Sequence, residues 1–188
     1  MNVLLLGFRG SGKTTVGRAL ASRLRRAFLD LDDITLGRLG ERSVTEAWRR
    51  HGEAAWRAVE EQALTDALQF DDHVIALGGG TATIPEAMRA IRAAQHAGRA
   101  RTVYLKCSAE TLTARLRADQ GDRPSLTGQG TADEVEVVLK EREPMYRQIA
   151  DITINAETAP ETIAAALAEK LARPEELNKK AVNAGKSD

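Results

Sequence analysis

Cysteine is almost missing: Cys107 is the single thiol in 188 residues. An intrachain disulfide is therefore excluded, as is a zinc site built from several thiolates, and a reducing compartment is the simpler expectation. Aromatic residues make up only 4% of the chain, so the positions they occupy carry information. There is no excess of either charge, with 27 Lys plus Arg against 27 Asp plus Glu. That balance argues against a strongly basic nucleic-acid binder, while leaving room for a local basic patch. No apolar run approaches the ~20 residues of a membrane span. The stretch Met1–Gly7 has no basic segment, and its apolar run Val3–Leu6 is shorter than the ~7–15 residues of a signal core. A motif opens at Gly7, so no transit peptide is expected ahead of it. The expectation is a cytoplasmic monomer that meets a small molecule, with neither nucleic acid nor membrane as partner.

What is present is ordinary for a folded domain: 43% hydrophobic and 29% charged residues. The length predicts one domain over 1–173 and a flexible, polar, lysine-rich tail over 174–188. Five short apolar runs read as strands: Val3–Leu6, Ala27–Leu31, Val74–Leu77, Thr102–Lys106 and Ile152–Ile154. Val16, Leu20 and Leu24 recur at i+4 and predict a helix over Thr14–Arg25. Ser43–Glu46, Thr131–Glu134 and Thr158–Glu161 each read as a capping box ahead of a helix. Alternating strands and helices predict a parallel sheet covered on both faces, with ligands beyond the carboxyl ends of the strands. The glycine-rich, polar segment 119–131 is long for a plain connection and reads as a functional loop.

Gly7-Phe8-Arg9-Gly10-Ser11-Gly12-Lys13-Thr14 fits the phosphate-loop pattern between a predicted strand and a predicted helix. Gly10, Ser11 and Gly12 offer backbone N–H groups to phosphate oxygens, and the helix N-terminus adds its dipole. Lys13 is placed to reach the β- and γ-phosphates, and the Thr14 hydroxyl to ligate Mg²⁺. Nucleotide binding follows; the acceptor does not.

Asp30 and Asp32 end the second strand, and period-two alternation predicts both on one side. Asp30 is then suited to hold a water of the Mg²⁺ shell and Asp32 to meet an acceptor hydroxyl. A solvated acidic turn is the plain alternative. Gly78-Gly79-Gly80 follows the third strand and fits a ligand lying against bare backbone, although a permissive turn uses the same residues. Arg57 could clamp a carboxylate bidentately, but spacing alone equally fits a solvated helical arginine. Trp48 and Trp56 share a helix face only if Gly52 does not break the helix between them.

Taken in order, these motifs resemble the shikimate kinase family. They are the phosphate loop, Phe28-Leu29-Asp30-Leu31-Asp32, Gly52-Glu53-Ala54-Ala55-Trp56-Arg57 with Glu60-Glu61, Gly78–Gly80, Arg123-Pro124 and Glu141-Arg142-Glu143-Pro144-Met145-Tyr146. The resemblance covers roughly residues 1–172. It implies a three-layer α/β/α P-loop kinase fold, with a five-stranded parallel sheet of order 2-3-1-4-5 and a flexible lid over about 119–131. It implies transfer of the ATP γ-phosphoryl group to the 3-hydroxyl of shikimate, giving 3-phosphoshikimate and ADP on the way to chorismate and the aromatic amino acids. ATP and Mg²⁺ are the implied cofactors. Lys13, Asp32 and Arg123 match catalytic positions. Gly10–Thr15, Arg115 on the adenine and Arg123 over the phosphates match nucleotide contacts. Asp32, Arg57, Gly78, Gly79, Gly80 and Arg142 match acceptor contacts, with the two arginines on the carboxylate. Thr14 and Asp30, the latter through water, match metal positions.

The chain departs from the family pattern at Ser125, where the lid usually has leucine, and at Trp48 and Trp56, where phenylalanine is frequent. In the loop 155–158 no charged nucleotide contact is expected. A kinase for another small polyol acid, such as gluconate, and a catalytically silent nucleotide-binding module are the competing readings. The intact Lys13, Thr14, Asp30 and Asp32 disfavour the silent module, and the acceptor set disfavours gluconate.

Overall fold

The computed structural model describes residues 1–118 and 130–172. Most of the expected lid, Arg123 included, and the expected tail lie outside the described residues. Five parallel strands form one sheet: β1 (Asn2–Leu6), β2 (Ala27–Asp30), β3 (His73–Ala76), β4 (Ala100–Lys106) and β5 (Ile152–Asn155). Their order is β2-β3-β1-β4-β5, as the resemblance implied. The register pairs Leu4 with Ile75 on one side and with Thr102 on the other.

The central strand shows why the fold has three layers. Every residue of β1 is buried. Val3 and Leu5 enter one hydrophobic cluster with Val16 and Leu20 of α1 (Lys13–Leu24), Leu112 of α5 (Ala109–Ala118), Val138 of α6 (Val135–Ile149) and Ile163 of α7 (Pro160–Ala172). Leu4 and Leu6 enter the other, with Leu64 of α3 (Val44–Ala67) and Ile91 of α4 (Pro85–His96). A strand apolar on both faces demands helices on both faces, which accounts for its continuous Val-Leu-Leu-Leu run.

Three expectations are corrected. Strand geometry stops at Asp30 rather than Leu31, and α2 (Leu31–Leu39) begins at once. Asp30 is the N-cap of α2, and its carboxylate accepts the Asp32 N–H at 3.1 Å. The two aspartates are therefore not alternate residues of one strand; a helix start brings them together. At 131–134 there is a turn rather than a capping box, and the N-cap of α6 is Glu134, without a side-chain cap bond. Finally, α7 starts at Pro160, two residues past the expected cap Thr158.

The box at Ser43 holds in its first half, where Ser43 Oγ accepts from Glu46 N–H at 3.1 Å. The Glu46 carboxylate pairs with Arg50 at 2.6 Å. Gly52 does break α3, with φ 80° and ψ 163° inside the helix. The carboxyl ends of β1, β2 and β3 lead into the phosphate loop, into Asp30 and Asp32 at the start of α2, and into Gly78–Gly80. All three groups meet at one edge of the sheet.

Candidate active site

Two cavities meet at this edge, and Asp32 lines both. The larger, of about 450 Å³, lies over the phosphate loop. That is the size range of small-ligand sites. Its wall contains Gly10 through Val16, Asp30, Arg115 and Thr158. Gly12, the N-cap of α1, has φ 90°, a left-handed conformation that favours glycine and points successive N–H groups inward. The Lys13 ammonium is nearly buried and donates to the carbonyls of Gly7 and Phe8, each at 2.9 Å. Ser11 Oγ is buried without a hydrogen-bond partner among the described residues.

Thr14 Oγ1 donates to Asp30 Oδ2 at 2.7 Å, while Asp30 Oδ1 caps α2. A hydroxyl and a carboxylate oxygen side by side are the hard donors that Mg²⁺ takes alongside phosphate and water. Among the described residues no group of three or more His, Cys, Asp or Glu forms a metal cage. Arg115 crosses from α5 to donate to Gly10 O at 3.2 Å and Ala156 O at 2.9 Å, fastening the phosphate loop to the segment after β5. The neighbouring Glu157 turns to accept Ser108 N–H at 2.7 Å. Hydrogen bonds from Ser108 and Thr111 hold its carboxyl down at about 2.

The smaller cavity, about 60 Å³, gathers Asp32, Trp48, Trp56, Arg57, Gly78–Gly80 and Arg142 from four parts of the chain. Arg57 sits over the Trp48 ring at 5.6 Å, a cation–π distance. Its Nη1 donates to Glu60 Oε2 at 2.8 Å. Glu60 is fully buried and also accepts from Thr81 Oγ1 at 2.5 Å. Burial pushes the Glu60 carboxyl above its ordinary value; Arg57 and Thr81 pull it back, and nearby Asp32 adds to the rise. A Cβ on Gly80 would lie 2.5 Å from the Arg57 nitrogens, so the guanidinium occupies the space that glycine leaves. Gly79 O accepts twice, from Arg142 Nη1 at 3.1 Å and from Tyr146 Oη at 2.5 Å. Tyr146 is buried and its phenol is pushed up to about 12 by that burial.

The cavities thus bring together all the expected site residues except Arg123, which lies outside the described residues. Glu60, Thr81, Tyr146 and the buried ion pair of Arg9 with Glu134 at 2.8 Å were not assigned from the sequence. For Glu60 a signal existed, its i+3 spacing from Arg57. Gly79 and Tyr146 lie 67 positions apart, and no local pattern links them.

A sequence profile of the shikimate kinase family matches residues 9–172. The chain belongs to the shikimate kinase family. Shikimate kinase 2 of Sodalis glossinidius is 37% identical over 172 residues, covering 90% of this chain and 95% of that protein. The shikimate kinase of Nitratidesulfovibrio vulgaris is 42% identical over 150 residues, 79% of this chain and 82% of its own. Among solved structures, shikimate kinase from Acinetobacter baumannii in complex with shikimate superposes with a TM-score of 0.81. It is 30% identical over 90% of this chain and 92% of that one. Deoxyadenosine kinase from M. mycoides, 14% identical with a TM-score of 0.60, shares the fold alone.

Proposed function

We propose that this protein transfers the γ-phosphoryl group of ATP to the 3-hydroxyl of shikimate. The observation that carries the reading is the smaller cavity. It sets the guanidiniums of Arg57 and Arg142 and the carboxylate of Asp32 around a bare glycine backbone, next to the phosphate loop; Arg9, paired with Glu134, and Glu60, paired with Arg57, complete its charged lining. A carboxylate-bearing polyol is the ligand that such a set fits: the arginines take the acid and Asp32 takes a hydroxyl.

The larger cavity then takes the nucleotide. Gly10, Ser11 and Gly12 hold the phosphates with backbone N–H groups, and Thr15 and Arg115 add contacts along the wall. Lys13 offsets the charge that grows between the β- and γ-phosphates; Arg123, the second cation the resemblance implies there, lies outside the described residues. Thr14 and Asp30 would hold Mg²⁺, Asp30 by way of water, and the ion would supply neutralisation of phosphate charge. Asp32 orients the attacking hydroxyl and receives its proton. With the acid end fixed by Arg57 and Arg142, only one hydroxyl faces the donor, and positioning supplies most of the rate.

Coupled ADP release with shikimate and with gluconate, side by side, tests the reading. Shikimate-dependent ADP formation with 3-phosphoshikimate as product is expected. Turnover with gluconate alone, or with neither acid, overturns it.

A further inference from the structure

Arg9 and Glu134 stand 125 positions apart in the chain. Even so, Arg9 Nη2 donates to Glu134 Oε1 at 2.8 Å, with the side chains only 7% and 0% exposed. Desolvating two charges is costly, and a pair of apolar residues often serves stability as well. The location of this pair points instead to geometry. Arg9 lies within the phosphate loop, and it also lines the smaller cavity beside Arg57 and Arg142. Glu134 is the N-cap of α6.

Two further contacts close a frame. Arg142 and Tyr146, both on α6, hold Gly79 O. Gly79 in turn lies against the loop, where an added Cβ would come within 3.3 Å of the Arg9 backbone nitrogen. Phosphate loop, α6 and glycine run are thus three sides of one closed figure. The ion pair is the side that joins loop to helix.

Resting on the function proposed above, we infer that Arg9 and Glu134 are a positioning pair. Their contact sets the spacing between the loop that holds the phosphoryl donor and the helix whose Arg142 holds the acceptor's acid group. Opening the pair lets donor and acceptor drift apart while each still binds. A misplacement of about 1 Å between reacting groups costs up to about a hundredfold in rate. Transfer then falls more than binding, and water competes for the phosphoryl group.

The test compares the wild type with Arg9→Met, Glu134→Gln and the double variant. ADP release gives kcat and KM, phosphorus NMR measures phosphorylated shikimate, and the fluorescence of Trp48 and Trp56, both on the cavity wall, reads shikimate binding. Each single variant is expected to lose about tenfold to a hundredfold in kcat. The KM for ATP and the Kd for shikimate should move less than about threefold, because ground-state binding is retained. More ADP than phosphorylated shikimate should accumulate. The double variant should fall no further than the poorer single one, since both remove the same contact. Arg9→Lys, which keeps a cation opposite Glu134, should recover part of the loss. A folded Glu134→Gln with wild-type kcat overturns the inference. So does a double variant whose loss is the product of the two single losses. Should Arg9→Met not fold, Glu134→Gln, which preserves the shape of the side chain, decides alone. A wild type that leaves shikimate unphosphorylated refutes the underlying function; an active wild type with unaffected variants refutes only the pair.

Discussion

Glu60→Gln separates anchoring of the acceptor from chemistry. The amide is nearly the same size, and its oxygen can still accept from Thr81. Its NH₂ cannot accept from Arg57, so the 2.8 Å charge-assisted bond is lost where Glu60 is fully buried and Arg57 is 19% exposed. Such bonds contribute about 1.5–3 kcal/mol, which converts to roughly a tenfold to hundredfold rise in KM for shikimate. The KM for ATP should stay put, because Glu60 lines only the smaller cavity. The pH profile adds a second reading. As pH falls through the raised value of Glu60, the wild type should weaken toward the variant, while the variant stays flat across that range. Stability runs the other way. The folded protein holds this proton more tightly than the unfolded chain, so Glu60 contributes stability below the ordinary carboxylate value and loses it as pH rises through the raised one. Initial-rate kinetics and thermal unfolding across pH check both. An unchanged KM for shikimate in the folded variant would refute Glu60 as the anchor of Arg57.

Lys13→Met should abolish transfer while circular dichroism stays native; near-wild-type turnover would remove the phosphate loop from the mechanism. Asp32→Asn should lower kcat by ~10²–10⁴-fold without altering ATP binding, as loss of a positioned base does. Asp30→Asn should instead raise the Mg²⁺ concentration for half-maximal rate, and reversed signatures in a Mg²⁺ titration would reverse the two roles. Gly80→Ala should fold, because its φ of −105° suits alanine and the atoms nearest an added Cβ belong to the flexible tip of Arg57, which must move. Its KM for shikimate should rise, and an unchanged KM would show that the guanidinium can work from elsewhere.

The phosphate loop was legible because its chemistry is local: strand, glycines, lysine and helix follow one another in the chain. The sheet was legible for a similar reason, since each strand run is short, apolar and bounded by helices. Asp30 and Asp32 do line one cavity, but the premise that put them side by side was faulty. Alternation assumes a continuing strand, whereas the Asp30 side chain caps a helix and ends the strand. Thr131 looked like a cap by its spacing to Glu134, but that carboxylate is engaged with Arg9 across the fold. The Glu60–Arg57 pair sits one helical turn apart and was there to be read, whereas the contacts of Glu60 with Thr81 and of Tyr146 with Gly79 form only on folding, so composition and periodicity are silent about them.

Cys107 offers a use that follows from where Arg115 lies. The thiol is 4% exposed. Its sulfur sits 3.5 Å from Ala156 O and 3.6 Å from Arg115 Nη1. Burial pushes the thiol above its ordinary value, so little thiolate is present at neutral pH. Alkylation should wait until Arg115 and the Ala156 backbone, both on the wall of the larger cavity, move off the sulfur. As the chain's single sulfhydryl, Cys107 is a built-in clock: its labelling rate counts how often that stretch of wall opens, and nucleotide at saturation should slow the count.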